Sequence, residues 1–214
     1  MRNFAIATQR VRRSIASVAL LLPVTVSAQA TVGPSPLRVS VTTGGLTPRS
    51  ALIVDALGSG DTRLGSAPAF GAELQYQALG KVAVYGGGLI AFGTLHHGTS
   101  MGVNVRGSTS DAVIFAGTGG IMLDWFSGAV RPLVRLGGGL KGYSFSTEGS
   151  EGFITPTGDF GLGFRAGTSS LELGAEVRYL PSVFDQGKLP TRGIVAQDQR
   201  QTDLFFGIFV TVRP

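Results

Sequence analysis

The stretch Leu171-Glu172-Leu173-Gly174-Ala175-Glu176-Val177-Arg178-Tyr179 decides the fold, because apolar residues occupy every second position along it. The other positions hold glycine or charged residues. A period of two is typical of a β-strand whose faces meet different surroundings. The same alternation recurs at 70–78, 159–166 and 203–212.

Extending this pattern over the chain predicts eight strands. Most have about 10 to 14 residues, which suits a tilted strand that crosses a bilayer (~9–11) better than a globular strand (~5–6). No apolar run reaches the length of a membrane-spanning helix. The predicted strands are 37–46, 67–78, 81–93, 111–124, 130–144, 155–167, 170–180 and 203–213.

The predicted connections alternate strictly between long and short. Outer-membrane barrels have short periplasmic turns, longer extracellular loops and an even number of strands. The sequence therefore predicts an all-β fold, an eight-stranded antiparallel up-and-down transmembrane β-barrel. The long connections are 47–66, 94–110, 145–154 and 181–202, and the short ones are 79–80, 125–129 and 168–169.

The first thirty residues read as a secretory signal peptide. Arginines precede a short apolar run from Ile15 to Val26, and the segment ends in Ala28-Gln29-Ala30. A basic start, a short apolar region and small residues at alternate positions form a signal with a cleavage site. The predicted division is a cleaved signal peptide, 1–30, and an outer-membrane barrel domain, 31–214.

Composition excludes several classes of function. The chain has no cysteine, so it has no disulfide scaffold, thiolate metal site or cysteine nucleophile. Its net charge of +5 comes largely from arginines of the predicted signal peptide, and the remaining chain is nearly neutral. Nucleic-acid binding relies on Lys and Arg that neutralise phosphates, so we expect no nucleic-acid partner.

The alternating stretch 171–179 and the glycine-rich strands resemble the small eight-stranded outer-membrane β-barrels of the OmpA/OmpX type. The resemblance covers residues 31–214. It implies a location in the outer membrane of the Gram-negative cell envelope, a porin-like barrel and a monomeric state. It also implies contact with outer-membrane lipid and lipopolysaccharide, and insertion by the barrel assembly machinery.

A soluble lipocalin-like barrel is the structural alternative, since it is also exported and eight-stranded. It would place apolar residues inside. The membrane barrel instead predicts that residues such as Leu173, Ala175, Val177, Phe206 and Ile208 face lipid. Aromatic girdles are then expected at both interfaces. The periplasmic girdle comprises Tyr76, Trp125 and Phe126, and the outer one Phe70, Phe92, Tyr179 and Phe206.

The opposite face supplies charges to the interior. A turn at Thr168-Ser169 predicts a register in which Arg165 faces Glu172 and Asp159 faces Arg178. Phe164 then meets Leu173, Leu162 meets Ala175, and Phe160 meets Val177. A slip of two residues keeps the faces and is expected to lose both charge pairs. We predict that Glu73, Arg135, Lys141 and Glu176 join these charges in a structural plug rather than a selectivity lining.

Two groups of residues raise other functions. The glycine runs 86–88, 119–120 and 137–139 lead into no helix, so they are not expected to bind phosphate. They are expected to relieve curvature and to let bulky neighbours such as Tyr85 or Tyr143 fill space. His96 and His97, followed by Thr99 and Ser100, are expected to be solvated residues of the outer rim. The alternative is an outer-leaflet lipid-modifying site formed by His97, Ser100 and an acid such as Asp111, because a hydroxyl nucleophile needs a nearby base.

The expected function is a structural or surface-interacting barrel without catalysis, with the outer loops as the contact region. The alternatives are an outer-leaflet lipid-modifying enzyme and a small-solute pore. We expect no catalytic, cofactor-binding or metal-binding residues and no cofactor.

Overall fold

The fold is described from a computed structural model that covers residues 36–50, 53–54, 61–96, 109–124, 128–146, 151–168, 170–185 and 198–214. The predicted signal peptide lies outside these residues. No helix among them is long and apolar enough to cross a membrane.

The described residues form eight long strands and two short ones. The short pair, β2 and β3, lies in the first long connection, where the sequence predicted no strand. The long strands are β1 (Leu37–Pro48), β4 (Ala67–Leu79), β5 (Val82–His96), β6 (Thr109–Asp124), β7 (Val130–Phe145), β8 (Phe153–Gly167), β9 (Leu171–Asp185) and β10 (Asp198–Val212), and the short ones are β2 (Ile53–Val54) and β3 (Asp61–Leu64).

The long strands close into an antiparallel barrel. Each pairs with the next long strand along the chain, and β10 pairs with β1, as in Val39 opposite Val212. Closure leaves no free edge among these eight strands. A path that starts on β1 and follows cross-strand partners once round the barrel returns to β1 about ten residues farther along the strand. This stagger results from the tilt of the strands. The predicted all-β, eight-stranded up-and-down barrel is confirmed.

The two barrel ends differ in their connections, as predicted. Short connections follow β4, β6 and β8 at one end, which is the periplasmic end in outer-membrane barrels. Long connections join the strands at the other end, where β3 adds to β5 through Arg63 opposite His96.

The apolar face of every long strand points outward. Leu173 and Ile208 are 58% and 64% exposed, whereas Asp159 and Arg165 on the opposite face are fully buried. This arrangement is the inverse of a lipocalin-like barrel, whose interior is apolar. The predicted lipid-facing positions Val177 and Phe206 are also exposed, and Ala175 belongs to the same outward row.

The predicted aromatic residues lie on the outer surface. Tyr76 lies near the periplasmic end of β4, and Phe70 lies toward its other end. Phe92, Tyr179 and Phe206 are exposed as well. Trp125 and Phe126 lie outside the described residues.

The largest extensions beyond the predicted bounds are in β9 and β10, which have 15 residues each, because Pro181 does not end β9. Proline lacks the N–H that a sheet ladder requires, so the sequence predicted a strand end at 180. The β8–β9 partners are instead interrupted between Thr157–Ser182 and Phe160–Tyr179, and pairing resumes beyond the proline. The strand continues to Asp185, opposite Asp198 of β10.

One glycine run gives an aromatic side chain the space it needs. A Cβ atom at Gly137 would overlap the Tyr85 hydroxyl and the Gly119 carbonyl oxygen. The absence of a Cβ therefore leaves room for the Tyr85 side chain, which is buried. This confirms the predicted role of glycine beside Tyr85.

Candidate functional site: the barrel interior and its two ends

The interior holds a network of buried charged side chains. Predicted members Glu73, Arg135, Lys141 and Glu176 all take part in it. Because a narrow lumen leaves charges little bulk water, each requires a partner. The described ion pairs join Arg38, Arg131, Arg135, Lys141, Arg165, Arg178 and Arg213 to Glu73, Asp124, Asp159, Glu172, Glu176 and Asp203.

Arg135 is the centre of the network at mid-height. Its guanidinium contacts Glu73 and donates from Nη1 to Glu176 Oε2 at 2.8 Å. Its Cζ lies 4.2 Å from the centroid of the Tyr85 ring, a cation–π contact. One cation thus joins β4, β5, β7 and β9 across the lumen.

Asp159 is the anionic counterpart of Arg135. Its Oδ2 accepts hydrogen bonds from the Tyr85 hydroxyl at 2.9 Å and from Thr118 Oγ1 at 2.9 Å. Arg178 donates to both carboxylate oxygens, from Nε at 3.1 Å and from Nη2 at 2.7 Å. Asp159 is fully buried, and these donors satisfy the lone pairs that burial removes from water.

The β8–β9 register differs from the predicted one by two residues. Arg165 lies opposite Gly174, and Arg178 lies opposite Gly161. The Thr168 N–H donates to the Leu171 carbonyl at 2.9 Å, so the turn is centred one position later than Thr168-Ser169. Moving the turn centre by one residue moves each partner by two, which keeps the two faces. The outward partners of Phe160, Leu162 and Phe164 are therefore Tyr179, Val177 and Ala175.

Both predicted ion pairs nevertheless form, and the expectation that this slip would abolish them was wrong. Arg178 reaches Asp159 at 2.7 Å, and Arg165 Nη1 lies 3.4 Å from Glu172 Oε2. In a staggered barrel the strands tilt, so an inward side chain leans toward the residue diagonally across the ladder. Arginine is long enough to span this diagonal.

At the periplasmic end, Glu172 is surrounded by arginines. Arg131 Nη2 lies 2.5 Å and Arg213 Nη2 2.9 Å from its Oε1. Arg165 and Arg38 approach its Oε2 at 3.4 and 4.0 Å. Asp124, the other acid of this group, lies 2.6 Å from Arg165 and 3.3 Å from Arg38. We call these six residues the periplasmic arginine cluster.

Toward the outer end, the described interior contains the buried pair Lys141–Asp203. Lys141 Nζ donates to Asp203 Oδ2 at 2.8 Å and to the Leu180 carbonyl at 3.1 Å. Gln201 Nε2 donates to the other Asp203 oxygen at 2.8 Å. The pair is completely buried, so its hydrogen bonds replace water on both charged groups.

The outer half of the interior is aromatic and aliphatic. Tyr143 stacks on Phe153 with centroids 5.0 Å apart, and Phe184 meets Phe153 edge-on at 4.8 Å. Such offset and edge-on pairs are favourable ring arrangements. Leu46, Leu95 and others complete this apolar cap.

Packed ionic and aromatic layers leave little open volume. A cavity of about 20 Å³ at mid-height is lined by Glu73, Gln75, Arg135, Glu176 and other residues. That volume holds about one water molecule. At this level the described interior is filled by packed side chains.

The predicted rim residues are only partly described. His96 ends β5 opposite Thr109, and Asp111 lies opposite Thr94. The backbone of Asp111 exchanges hydrogen bonds with Ser146, whose Oγ accepts from the Asp111 N–H at 2.9 Å. His97, Thr99 and Ser100 lie outside the described residues. In the described ranges, no group of three His, Asp or Glu residues is arranged to hold a metal ion.

Sequence reasoning missed part of the interior. The inward row of β9 continues from Arg178 through Leu180 and Ser182 to Phe184, which changes it from charged to apolar. This change from charged to apolar residues is visible in the sequence, but it lies beyond Pro181, where the predicted strand had already ended. Arg38, Arg131 and Arg213 lie at strand ends, where short runs give no face assignment.

The chain is similar in fold to known outer-membrane proteins. Neisserial surface protein A is 14% identical, with a TM-score of 0.56, over 86% of this chain and 100% of that one. OprG from Pseudomonas aeruginosa is 12% identical, with a TM-score of 0.56, over 85% and 98% of the two chains. No protein-family model matches the chain, and no curated protein matches its sequence.

At these identities the similarity concerns the fold. It agrees with the closed barrel, the outward apolar belt and the buried interior charges, three features that a membrane barrel needs together. The chain therefore has the fold of the small eight-stranded outer-membrane β-barrels and is an integral outer-membrane protein.

Proposed function

We propose that this barrel is a non-catalytic structural or surface-interacting protein, which presents its outer connections on a rigid scaffold. In this proposal it is a monomer that contacts outer-membrane lipid and lipopolysaccharide, and the barrel assembly machinery inserts it.

The filled lumen is the observation that carries this proposal. Arg135, Asp159 and Arg178 are buried and paired at mid-height, and Tyr143 and Phe184 pack above them. Charge-assisted hydrogen bonds in a buried site are strong, so these contacts hold the strands that carry them firmly together. Rigid strands are suited to hold loops in fixed positions, which is where binding residues concentrate.

Single-channel recording tests the proposal against a pore. Purified protein in planar bilayers should produce no defined conductance steps. Steps of uniform size that change when Arg135→Gln alters the lumen would contradict it, because they would originate inside the barrel. Arg49→Gln, which alters an exposed arginine beyond β1, is the matched control.

Lipid A analysis tests the proposal against an enzyme. Mass spectra of lipid A from cells with and without the gene should show the same acyl chains. Loss or gain of an acyl chain that wild-type protein reverses, and His97→Ala protein does not, would establish catalysis instead.

A further inference from the structure

The periplasmic arginine cluster contains more positive than negative charge. Arg38, Arg131, Arg165 and Arg213 share Glu172 and Asp124, so in this group of described residues four guanidiniums meet two carboxylates. At mid-height the balance is reversed, since Arg135 and Arg178 meet three carboxylates. The positive excess is therefore localised at one end of the lumen.

The sheet itself brings two of these cations together. Arg131 and Arg165 are direct cross-strand partners on the inner face. Like charges directly opposite each other destabilise a sheet. Glu172 contacts both guanidiniums, so the two cations are held together by a single shared carboxylate.

The guanidiniums also retain unused donors. The buried Nε atoms of Arg38, Arg165 and Arg213, like that of Arg135 at mid-height, have no hydrogen-bond acceptor among the described residues. Arg131 and Arg213 are the most accessible members, with side chains 19% and 15% exposed, whereas Arg165 is completely buried. The accessible cations thus lie at the mouth, with the buried ones behind them.

We propose that this cluster binds a phosphate group at the periplasmic mouth through Arg131 and Arg213, with Arg38 behind them. Guanidinium forks match the oxygens of phosphate, and tetrahedral oxygens contact cations from several strands at once. A phosphate monoester carries up to two negative charges, which equals the local excess. The group is supplied either by a lipid headgroup of the inner leaflet or by a free phosphate.

The first arm of the test uses inorganic phosphate. Full-length mature protein is refolded in a maltoside detergent, which contains no phosphorus, and titrated calorimetrically at constant ionic strength. Wild type should bind phosphate, and R131Q/R213Q should bind it at least about tenfold more weakly. R49Q/R200Q, which alters two exposed arginines at the opposite end, should match wild type.

The second arm identifies the source of the phosphate. Wild type in phosphatidylglycerol nanodiscs should perturb the ³¹P signal of a subset of lipids if the ligand is a headgroup, and these lipids should then compete with inorganic phosphate. Binding of free phosphate without such competition identifies a soluble ligand. Binding in neither arm, or unchanged binding by R131Q/R213Q, overturns the proposal.

A third variant gives an effect of opposite sign. E172Q removes the carboxylate that holds the arginines, so it should bind phosphate several-fold more tightly than wild type. Heat-modifiability on a gel verifies that each variant is folded. If R131Q/R213Q does not fold, R213Q alone, beyond the end of β10, carries the same test, and unaltered affinity in it contradicts the proposal.

Discussion

Ala175 is the smallest side chain in the outward row of β9, and it lies between larger partners, Phe164 of β8 and Ile208 of β10. All three belong to the apolar belt. A charge here therefore meets hydrocarbon rather than headgroups.

Ala175→Arg should destabilise the folded barrel by ~2–4 kcal/mol, the penalty for a cation at the bilayer midplane. Thr191→Arg, in the connection between β9 and β10, should have little effect. Folding titrations in lipid vesicles measure both free energies. Equal effects would show that position 175 does not face lipid.

Gly137 has a different constraint, because the Tyr85 hydroxyl and a neighbouring backbone occupy the place of its Cβ. Gly137→Ala should displace Tyr85 from Asp159 and destabilise the barrel by about 1–3 kcal/mol, as overpacking does. Gly86→Ala is the control, because nothing lies within 4 Å of its added Cβ. Urea unfolding in detergent compares them, and a smaller loss at Gly137 than at Gly86 would refute the close approach.

The buried pair Asp159–Arg178 should show strong coupling. Removing either partner leaves an uncompensated charge, which costs ~3–5 kcal/mol in a dry site. The reversal Asp159→Arg with Arg178→Asp should recover only part of the loss, since Tyr85 and Thr118 also donate to Asp159. A double-mutant cycle on refolded protein measures the coupling energy. A coupling energy of zero would show that Asp159 and Arg178 do not form a stabilising pair.

At the scale of elements, the β8–β9 hairpin shows that the position of the turn fixes the register of the two strands. Its turn centre lies one residue later than the sequence suggested, and every partner moves by two. Because the native chain has no cysteine, introduced pairs report register without background.

Ala166→Cys with Leu173→Cys should form a disulfide readily, since these residues are direct partners on the lipid face. Phe164→Cys with Leu173→Cys, partners only in the register predicted from sequence, should not, because disulfides require Cα atoms within ~7 Å. Gel mobility before and after reduction distinguishes the two. Rapid crosslinking of the second pair alone would show that the register predicted from the sequence is the correct one.

The elements that sequence reasoning located well are those with long, uninterrupted alternation. In β10 and β8 the period of two assigns each face, because lipid and lumen impose opposite requirements. The register is harder to predict, because Arg165 and Glu172 form an ion pair whether they lie directly opposite each other or diagonally across the ladder. The aromatic cap was missed because proline usually ends a strand. Pro181 is tolerated because the β8–β9 pairing is interrupted beside it, and this interruption depends on both strands.

At the scale of the whole molecule, the sequence predicts export through a cleaved signal peptide. The Arg-rich start and the Ala28-Gln29-Ala30 end predict that the mature chain begins at Thr31, or else at Gln29. N-terminal sequencing of protein from the outer-membrane fraction determines the first residue. A mature chain that still contains Arg12 would exclude cleavage of a signal peptide.

The buried charges draw their partners from distant parts of the chain, and this affects how the barrel is built. Arg38 on the first long strand meets Asp124 of β6 and approaches Glu172 of β9, while Arg213 follows the last strand. A half-finished sheet leaves these groups unmatched beside hydrocarbon, where they are strongly unfavourable. Pairing of β1 with β10 brings Arg38 and Arg213 to the same acidic residues, so these ion pairs are complete only in the closed barrel.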